Sequence, residues 1–462
     1  MPIGAHPYIP NSVPAVRQAM LNAVGAHQAS DLFASVPTEL QVTGSLAIPP
    51  ALVSEHDLQQ HLERLLADVA GTNTLVSFLG GGAARHFVPA LCDEIASRRE
   101  FLTAYAGEGY SDHGKHQAWF EYQSLMAELL DMDFVSFPTY DWMAATSSAM
   151  LMAVRATGRS RLLVPDSMHP ERRSHLHNFC RAGADRIEAV AFDPWNGGID
   201  LEDLAGRLGD DLAALYVETP NYFGSVEVRL PEIVEAVHAV GAKCVVGVDP
   251  ISLGVLAPPS AHGADIVVGD AQSLGLHLQA GGATCGFIAS SQDPALVREY
   301  PTLLESITTT SHPDVWGFGW TSLDQTSFGK RDASDDITGT TSGLWAITAA
   351  VYLSSMGPAG MQEVGATIMS KSRYLAGRLV TLPGVEIGPT SVPFKELVVR
   401  FDDTGLSVVE INNRLLEQGI LGGHDLSTEF PQLGQSALYC VTEVTPQEHI
   451  DRLVDALAEL LR

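Results

Sequence analysis

Positive charge is scarce in this sequence. Against 55 Asp and Glu stand 27 Lys and Arg, a formal net charge of −28. Nucleic-acid binding needs clustered Lys and Arg, so that class is excluded. The acidic residues are spread along the chain, which reads as a solvated surface. Only five lysines occur, Lys115, Lys243, Lys330, Lys371 and Lys395, so any search for an amine nucleophile is short. Five cysteines, Cys92, Cys180, Cys244, Cys285 and Cys440, lack CxxC spacing and read as buried thiols in a reducing compartment. There is no apolar run of about 18 residues, hence no expected membrane span. The N-terminus, MPIGAHPYIPNSVP, lacks the basic-then-apolar pattern of a signal peptide, so a cytoplasmic location is expected.

Catalytic motifs are also sparse. No GxSxG elbow and no Cys–His nucleophile signature is present. His113 with His116, and His175 with His177, have no Cys partner and no HExxH arrangement, and read as solvated histidines. FLGGGAARHFVP (78–89) is glycine-rich, but it follows no clear strand and lacks GxGxxG or Walker spacing, so it is not read as a nucleotide loop.

What is present fills an enzyme-sized chain of 462 residues, 45% of them hydrophobic, enough for two or three domains. Residues 1–85 read as an N-terminal arm. It carries a helix within 10–25, capped by Asn11 or Ser12, and a second helix over 54–70. Over 86–345, short apolar runs alternate with helical stretches: RLLVPD (161–166), RIEAVAFD (186–193), AALYVETP (213–220), KCVVGVDP (243–250) and ADIVVGD (264–270). That alternation indicates a parallel sheet covered on both faces. Residues 346–462 form a small C-terminal α/β domain, with strands at ELVVRFD and ALYCVTE and a closing helix.

In such sheets ligands sit at the carboxyl ends of the strands. The polar residues there are Asp166, Glu218, Asp249 and Asp270. Asp249 can hold a ring nitrogen protonated, as pyridoxal phosphate requires; a turn or capping Asp is the plain alternative. His169 can stack on such a ring, or can bond locally as a loop histidine. The amine that bonds the cofactor belongs in GDAQSLGLHLQAGGATCG (269–286), and no lysine occurs there. Without it, Schiff-base catalysis is unavailable.

In order along nearly the whole chain, YIPNS, IPPAL, FLGGGAARHFVPA, FEYQSLMAELLDMD, YDWMAAT, HPE, PNYFGSVE, VDPISLG, GADIVVGDAQSLG, EQGILGGHDL and CVTE are similar to one family. It is the first (alpha) subunit of the two-subunit glycine dehydrogenase (decarboxylating), the P-protein of the glycine cleavage system. The resemblance implies a fold-type I pyridoxal-phosphate transferase architecture (aspartate aminotransferase-like), with an N-terminal arm, a large parallel or mixed-sheet α/β domain and a small α/β domain. It places Gln272 opposite the Schiff-base lysine. It implies that pyridoxal phosphate sits on a lysine-bearing homologous beta subunit in an α2β2 assembly, with Asp249, His169 and Gln272 vestigial or completing the partner. The pair would decarboxylate glycine and pass the aminomethyl group to the lipoyl H-protein, this chain being inactive alone. Two departures keep other readings open. RDASDDITGTT (331–341) carries Asp335 and Asp336 where the family has neutral residues, and YDWMAAT puts Trp142 where a small residue is usual. Beside the glycine subunit they admit, as alternatives, a paralogue acting on another amino acid, or a non-catalytic binding or regulatory partner.

Overall fold

The strand-like runs of the sequence are the strands of the large sheet. The computed structural model describes all of the chain except residues 1–10, 43, 45–46, 72–73, 103–113, 279–281, 283, 335 and 390–391. The chain divides into two units, Met1–Ala70 and Gly71–Arg462.

The first unit holds helices α1 (Pro14–Ala23) and α2 (Glu55–Leu66). Ser54 caps α2 by accepting the Asp57 N–H. The cap position of α1 is Val13, which offers no side-chain acceptor. The leucines that give α2 its periodicity, Leu58, Leu62, Leu65 and Leu66, are all exposed.

In the second unit, seven strands form one sheet: β1 (Phe134–Val135), β2 (Arg161–Pro165), β3 (Arg186–Val190), β4 (Leu212–Glu218), β5 (Lys243–Gly247), β6 (Ile266–Asp270) and β7 (Gly286–Ser290). Their order is β1-β7-β6-β5-β4-β2-β3. β3, β2, β4, β5 and β6 run parallel, while β7 pairs antiparallel with both β6 and the edge strand β1, so the sheet is mixed. β2, β4 and β5 are apolar almost throughout because both faces are covered. One covering layer uses Leu163, Leu215 and Val246 against Ile233 and Ile347; the other uses Leu162, Tyr216 and Val245 against Ala149 and Leu176.

A long helix, Gly343–Leu379, kinks at Gly357 (φ 59°) before Pro358, where the helical ladder loses an N–H. It leads to a four-stranded antiparallel sheet: β8 (Glu386–Ile387), β9 (Glu396–Arg400), β10 (His424–Asp425) and β11 (Ser436–Cys440), in the order β8-β9-β11-β10. A short strand, Val76–Ser77, pairs in parallel with Ile420–Leu421. The glycine-rich segment therefore does follow a strand, one too short to give a period. The Cys440 N–H then donates to the Phe78 carbonyl, and the Thr442 hydroxyl to that of Arg85. These bonds anchor residues 76–88 to the small sheet.

The packing sets a contrast. Leu163 is fully buried in the central sheet, and Leu163→Ala should cost about 2–5 kcal/mol. Leu58→Ala on α2 should stay within about 0.5 kcal/mol in the isolated chain. Urea unfolding of both variants checks the difference, and equal losses would contradict it.

Candidate functional site

Three carboxylates gather at the carboxyl edge of the parallel strands. Glu218 ends β4, Asp270 ends β6, and Asp249 lies two residues beyond β5. All three bring charge out of water, so each needs donors. Asp249 is buried; one oxygen accepts from the Ser273 hydroxyl (2.8 Å) and the Ile251 N–H (3.2 Å). Its other oxygen accepts from the Lys395 ammonium at 2.5 Å. Burial alone would raise this carboxyl, but the adjacent Lys395 charge holds it below its ordinary value. Among the described residues no cation is in direct contact with Asp270, and the Arg172 charge lowers it only in part. Burial pushes it up to about 6, against the Thr284 hydroxyl (2.8 Å) and the Gln272 N–H (3.1 Å).

Gln272 is buried in the loop after β6, close to Asp249 in the chain's path through Ser273. Its amide oxygen accepts the Ala84 N–H (3.2 Å) and its amide nitrogen donates to the Leu276 carbonyl (3.3 Å). Both ends are engaged in fixing loops, and a carboxamide offers no nucleophilic amine.

Trp142 is the first residue of the helix Trp142–Thr157, whose cap is Asp141 accepting the Ala144 N–H. Its indole N–H donates to the Tyr216 hydroxyl (3.0 Å), which donates to Glu218 (3.0 Å). The Arg172 guanidinium lies 4.0 Å over the indole ring and pairs with Glu218. Burial acts to lower Arg172, but the Glu218 charge outweighs it and keeps the guanidinium charged. Gly247 lets this stack reach the sheet: a Cβ there would lie 2.3 Å from the Tyr216 hydroxyl and 3.0 Å from the Trp142 ring.

His169 does not stand free. Its Nδ1 accepts the Glu171 N–H (3.1 Å), and its Nε2–H donates to the Gly81 carbonyl (2.8 Å), which fixes a neutral tautomer. The ring packs edge-on to Tyr222, centroids 4.7 Å apart. Gly81 and Gly82 adopt φ of 96° and 105°, and a Cβ on Gly82 would press on the imidazole at 3.3 Å. The Gly81 N–H meanwhile donates to the buried Glu396 carboxylate (2.6 Å). The glycine-rich loop is thus part of the site, through backbone contacts that no motif spacing announces.

Trp142, Arg172, Glu218, Tyr222, Asp249 and Lys395 leave between them a cavity of about 30 Å³. That is room for a water or two, whereas a cavity that admits a single benzene ring is about 150 Å³. Pyridoxal phosphate carries a substituted ring and a phosphate. Among the described residues this space does not fit such a group, and the Asp249 carboxylate already holds the Lys395 ammonium.

Other expectations resolve differently. His116 is not solvated: it is buried, 3.0 Å from Glu305, between the rings of Trp119 and Trp320. His113 and Asp335 lie outside the described residues. His175 contacts the Ser147 hydroxyl (2.8 Å) and His177 is exposed. No cluster able to hold a metal is found among the described residues. Asp166 pairs with Arg173 at the surface. Asp336 is buried; its carboxyl is raised by burial and opposed by the Ser148 hydroxyl, while its carbonyl accepts from Ser327 (2.9 Å). Lys395 and Glu396 have no sequence signal, because they reach the site from a distant segment, whereas Arg172 lies three residues after His169 and was passed over.

Burial and the Arg172 charge lower His169 to about 4, against 6.5 for a free histidine. Its stabilising contribution is complete above about 6.5 and lost as pH falls through about 4, with an upper bound of about 3 kcal/mol. NMR of the ring should show His169 neutral at pH 5.5; a titration near 6.5 would contradict the tautomer.

The model of the Glycine cleavage system P-protein family matches residues 6–457. The probable glycine dehydrogenase (decarboxylating) subunit 1 of Staphylothermus marinus is 36% identical, covering 99% of this chain and 98% of its own. That of Pyrococcus furiosus is 37% identical, covering 99% and 100%. A crystal structure of glycine decarboxylase (P-protein) of the glycine cleavage system, in inhibitor-bound form, superposes with a TM-score of 0.85 at 33% identity over 98% of this chain and 100% of that one. A sphingosine-1-phosphate lyase from Burkholderia pseudomallei shares the fold alone, with a TM-score of 0.64 at 15% identity over 92% and 94%. The full-length match in sequence and in fold places the chain in the glycine cleavage system P-protein family.

Proposed function

We propose that the chain is the cofactor-free alpha subunit of a two-subunit glycine dehydrogenase (decarboxylating). It joins a homologous beta subunit that bears the Schiff-base lysine and pyridoxal phosphate, in an α2β2 assembly in the cytoplasm. Together they decarboxylate glycine and pass the aminomethyl group to the lipoyl H-protein. Gln272 carries this reading: an engaged carboxamide stands in the segment where the amine belongs. Asp249 and His169, the other residues of a cofactor site, are here committed to contacts within the chain. This chain is then inactive alone and acts by completing and shaping its partner.

Two observations bear on assembly. The exposed face of α2, with Leu58, Leu62, Leu65 and Leu66, suits a subunit contact. Obligate interfaces bury on the order of 2,000 Å² or more and are largely apolar, so such a face is more easily kept in a complex than in a monomer. The acidic residues distributed over the rest of the surface keep the chain soluble and oppose non-specific association.

The alternative of a paralogue for another amino acid rested on Asp335, Asp336 and Trp142. Trp142 closes this chain's own pocket, under Arg172. Asp336 is folded into this chain's core beside Ser148, so its charge is not presented to a partner's phosphate or substrate. These placements favour the glycine reading.

Reconstitution with a lysine-bearing homologue and H-protein tests it. The expected outcome is glycine-dependent carbon dioxide exchange by the pair and none by this chain alone. Borohydride treatment of the isolated chain with pyridoxal phosphate should leave no adduct in the site. Asp336→Asn should leave exchange within about twofold, since a change below about 0.5 kcal/mol is expected of a group that meets no reactant. Exchange absent in the native pair, with turnover of a different amino acid, would overturn the glycine assignment.

A further inference from the structure

Of the five lysines, Lys395 stands just before β9 with its ammonium on Asp249. Both side chains are almost enclosed, 12% and 10% exposed. The lysine backbone takes a left-handed conformation, φ 66°, which side-chain-bearing residues seldom adopt. It is held there from two sides. The Lys395 N–H donates to the Ser372 hydroxyl on the long helix (3.0 Å), and its carbonyl accepts the Val441 N–H (2.9 Å). The neighbouring Glu396 turns to the glycine-rich loop instead, taking the Gly81 N–H at 2.6 Å. Consecutive residues at the start of β9, an inner strand of the small sheet, therefore grip the large sheet's carboxyl edge and the loop that lies along it.

Stability alone does not call for this arrangement. Apolar residues of similar volume usually serve as well as a buried ion pair or better, whereas one buried charge without its partner is strongly destabilising. An acid at this position in the sheet is suited to the protonated ring nitrogen of pyridoxal phosphate. Here the matching cation is on the chain. The cavity left beside it, about 30 Å³, is too small for the ring.

We propose that Lys395 is a built-in counter-ion replacing the cofactor's ring nitrogen, so that the pocket is occupied by the chain itself and the Asp249–Lys395 pair fastens the small sheet to the large one. The inference rests on reading Asp249 as the ring-nitrogen acid and is independent of glycine being the substrate. It assigns the Asp249 pocket a ligand class, a primary ammonium, supplied internally. Removing the lysine side chain beyond Cβ should turn the pocket into a site for a small primary alkylammonium ion added from solution.

The test uses the full-length chain without partner. Lys395→Ala should lower the urea midpoint by roughly 1 M, because Asp249 is left buried and unpaired. Propylammonium should restore most of that loss along a saturable curve, while propanol, equal in size but uncharged, should not; the native chain should respond to neither. Asp249→Asn/Lys395→Met, which removes both charges, should recover most of the midpoint. A native-like midpoint in Lys395→Ala, or a loss that neither propylammonium nor the double variant relieves, would overturn the proposal. Should Lys395→Ala not fold, the double variant decides: folding near the native midpoint supports the pair as charge compensation, and failure to fold refutes it. Glycine exchange with a partner subunit bears on the proposed function alone, so the two readings can fail separately.

Discussion

A carboxylate taken out of water must be matched by donors or by a cation, and the Asp249 carboxylate sets this requirement for the whole second unit. Desolvating a charged group costs several kcal/mol even after local relaxation, so an unpaired Asp249 would protonate or force the structure open. Three segments answer it: the turn after β5 through the Ile251 N–H, the loop after β6 through Ser273, and the start of β9 in the small sheet through Lys395. Because those segments belong to different layers, satisfying one carboxylate also sets how the two sheets meet. Arg172 and Glu218 repeat the logic one strand away, with Trp142 excluding water from the pair.

The large sheet was legible in the sequence because β2, β4 and β5 are covered on both faces and are therefore continuous apolar runs. Their polar ends pointed to Asp249, Glu218 and Asp270, since a parallel sheet collects its strand termini on one edge. The absence of a lysine from the segment 269–286 was legible directly, whereas Gln272 was singled out only through the family resemblance. The antiparallel edge β7–β1 was not, since two-residue β1 carries no period. Lys395 was passed over for a physical reason. Its position is set by a left-handed turn and by contacts with Ser372 and Val441, remote in sequence, and chain spacing encodes neither. The glycine-rich loop was discounted for lacking phosphate-binding spacing, and it serves instead through Gly81, whose N–H and carbonyl meet Glu396 and His169.

Fold membership and chemistry separate in this chain. The architecture is that of its P-protein relatives over essentially the full length. The side chains at the strand ends nevertheless bond one another rather than leave space for a ring. A family fold does not by itself fix the chemistry of its site, and the described side chains here form an internal polar joint. In this chain the joint consists of named, separable contacts: Gln272 on two loops, His169 on the Gly81 carbonyl, and Lys395 on Asp249.

The central claim is that the chain fills its own pocket. A crystal structure of the isolated chain grown with excess pyridoxal phosphate tests it most directly. Lys395 Nζ should lie within hydrogen-bonding distance of Asp249, with the Trp142 ring against Arg172 and no cofactor ring between them. A pyridine ring seated on Asp249, with Lys395 displaced, would contradict it.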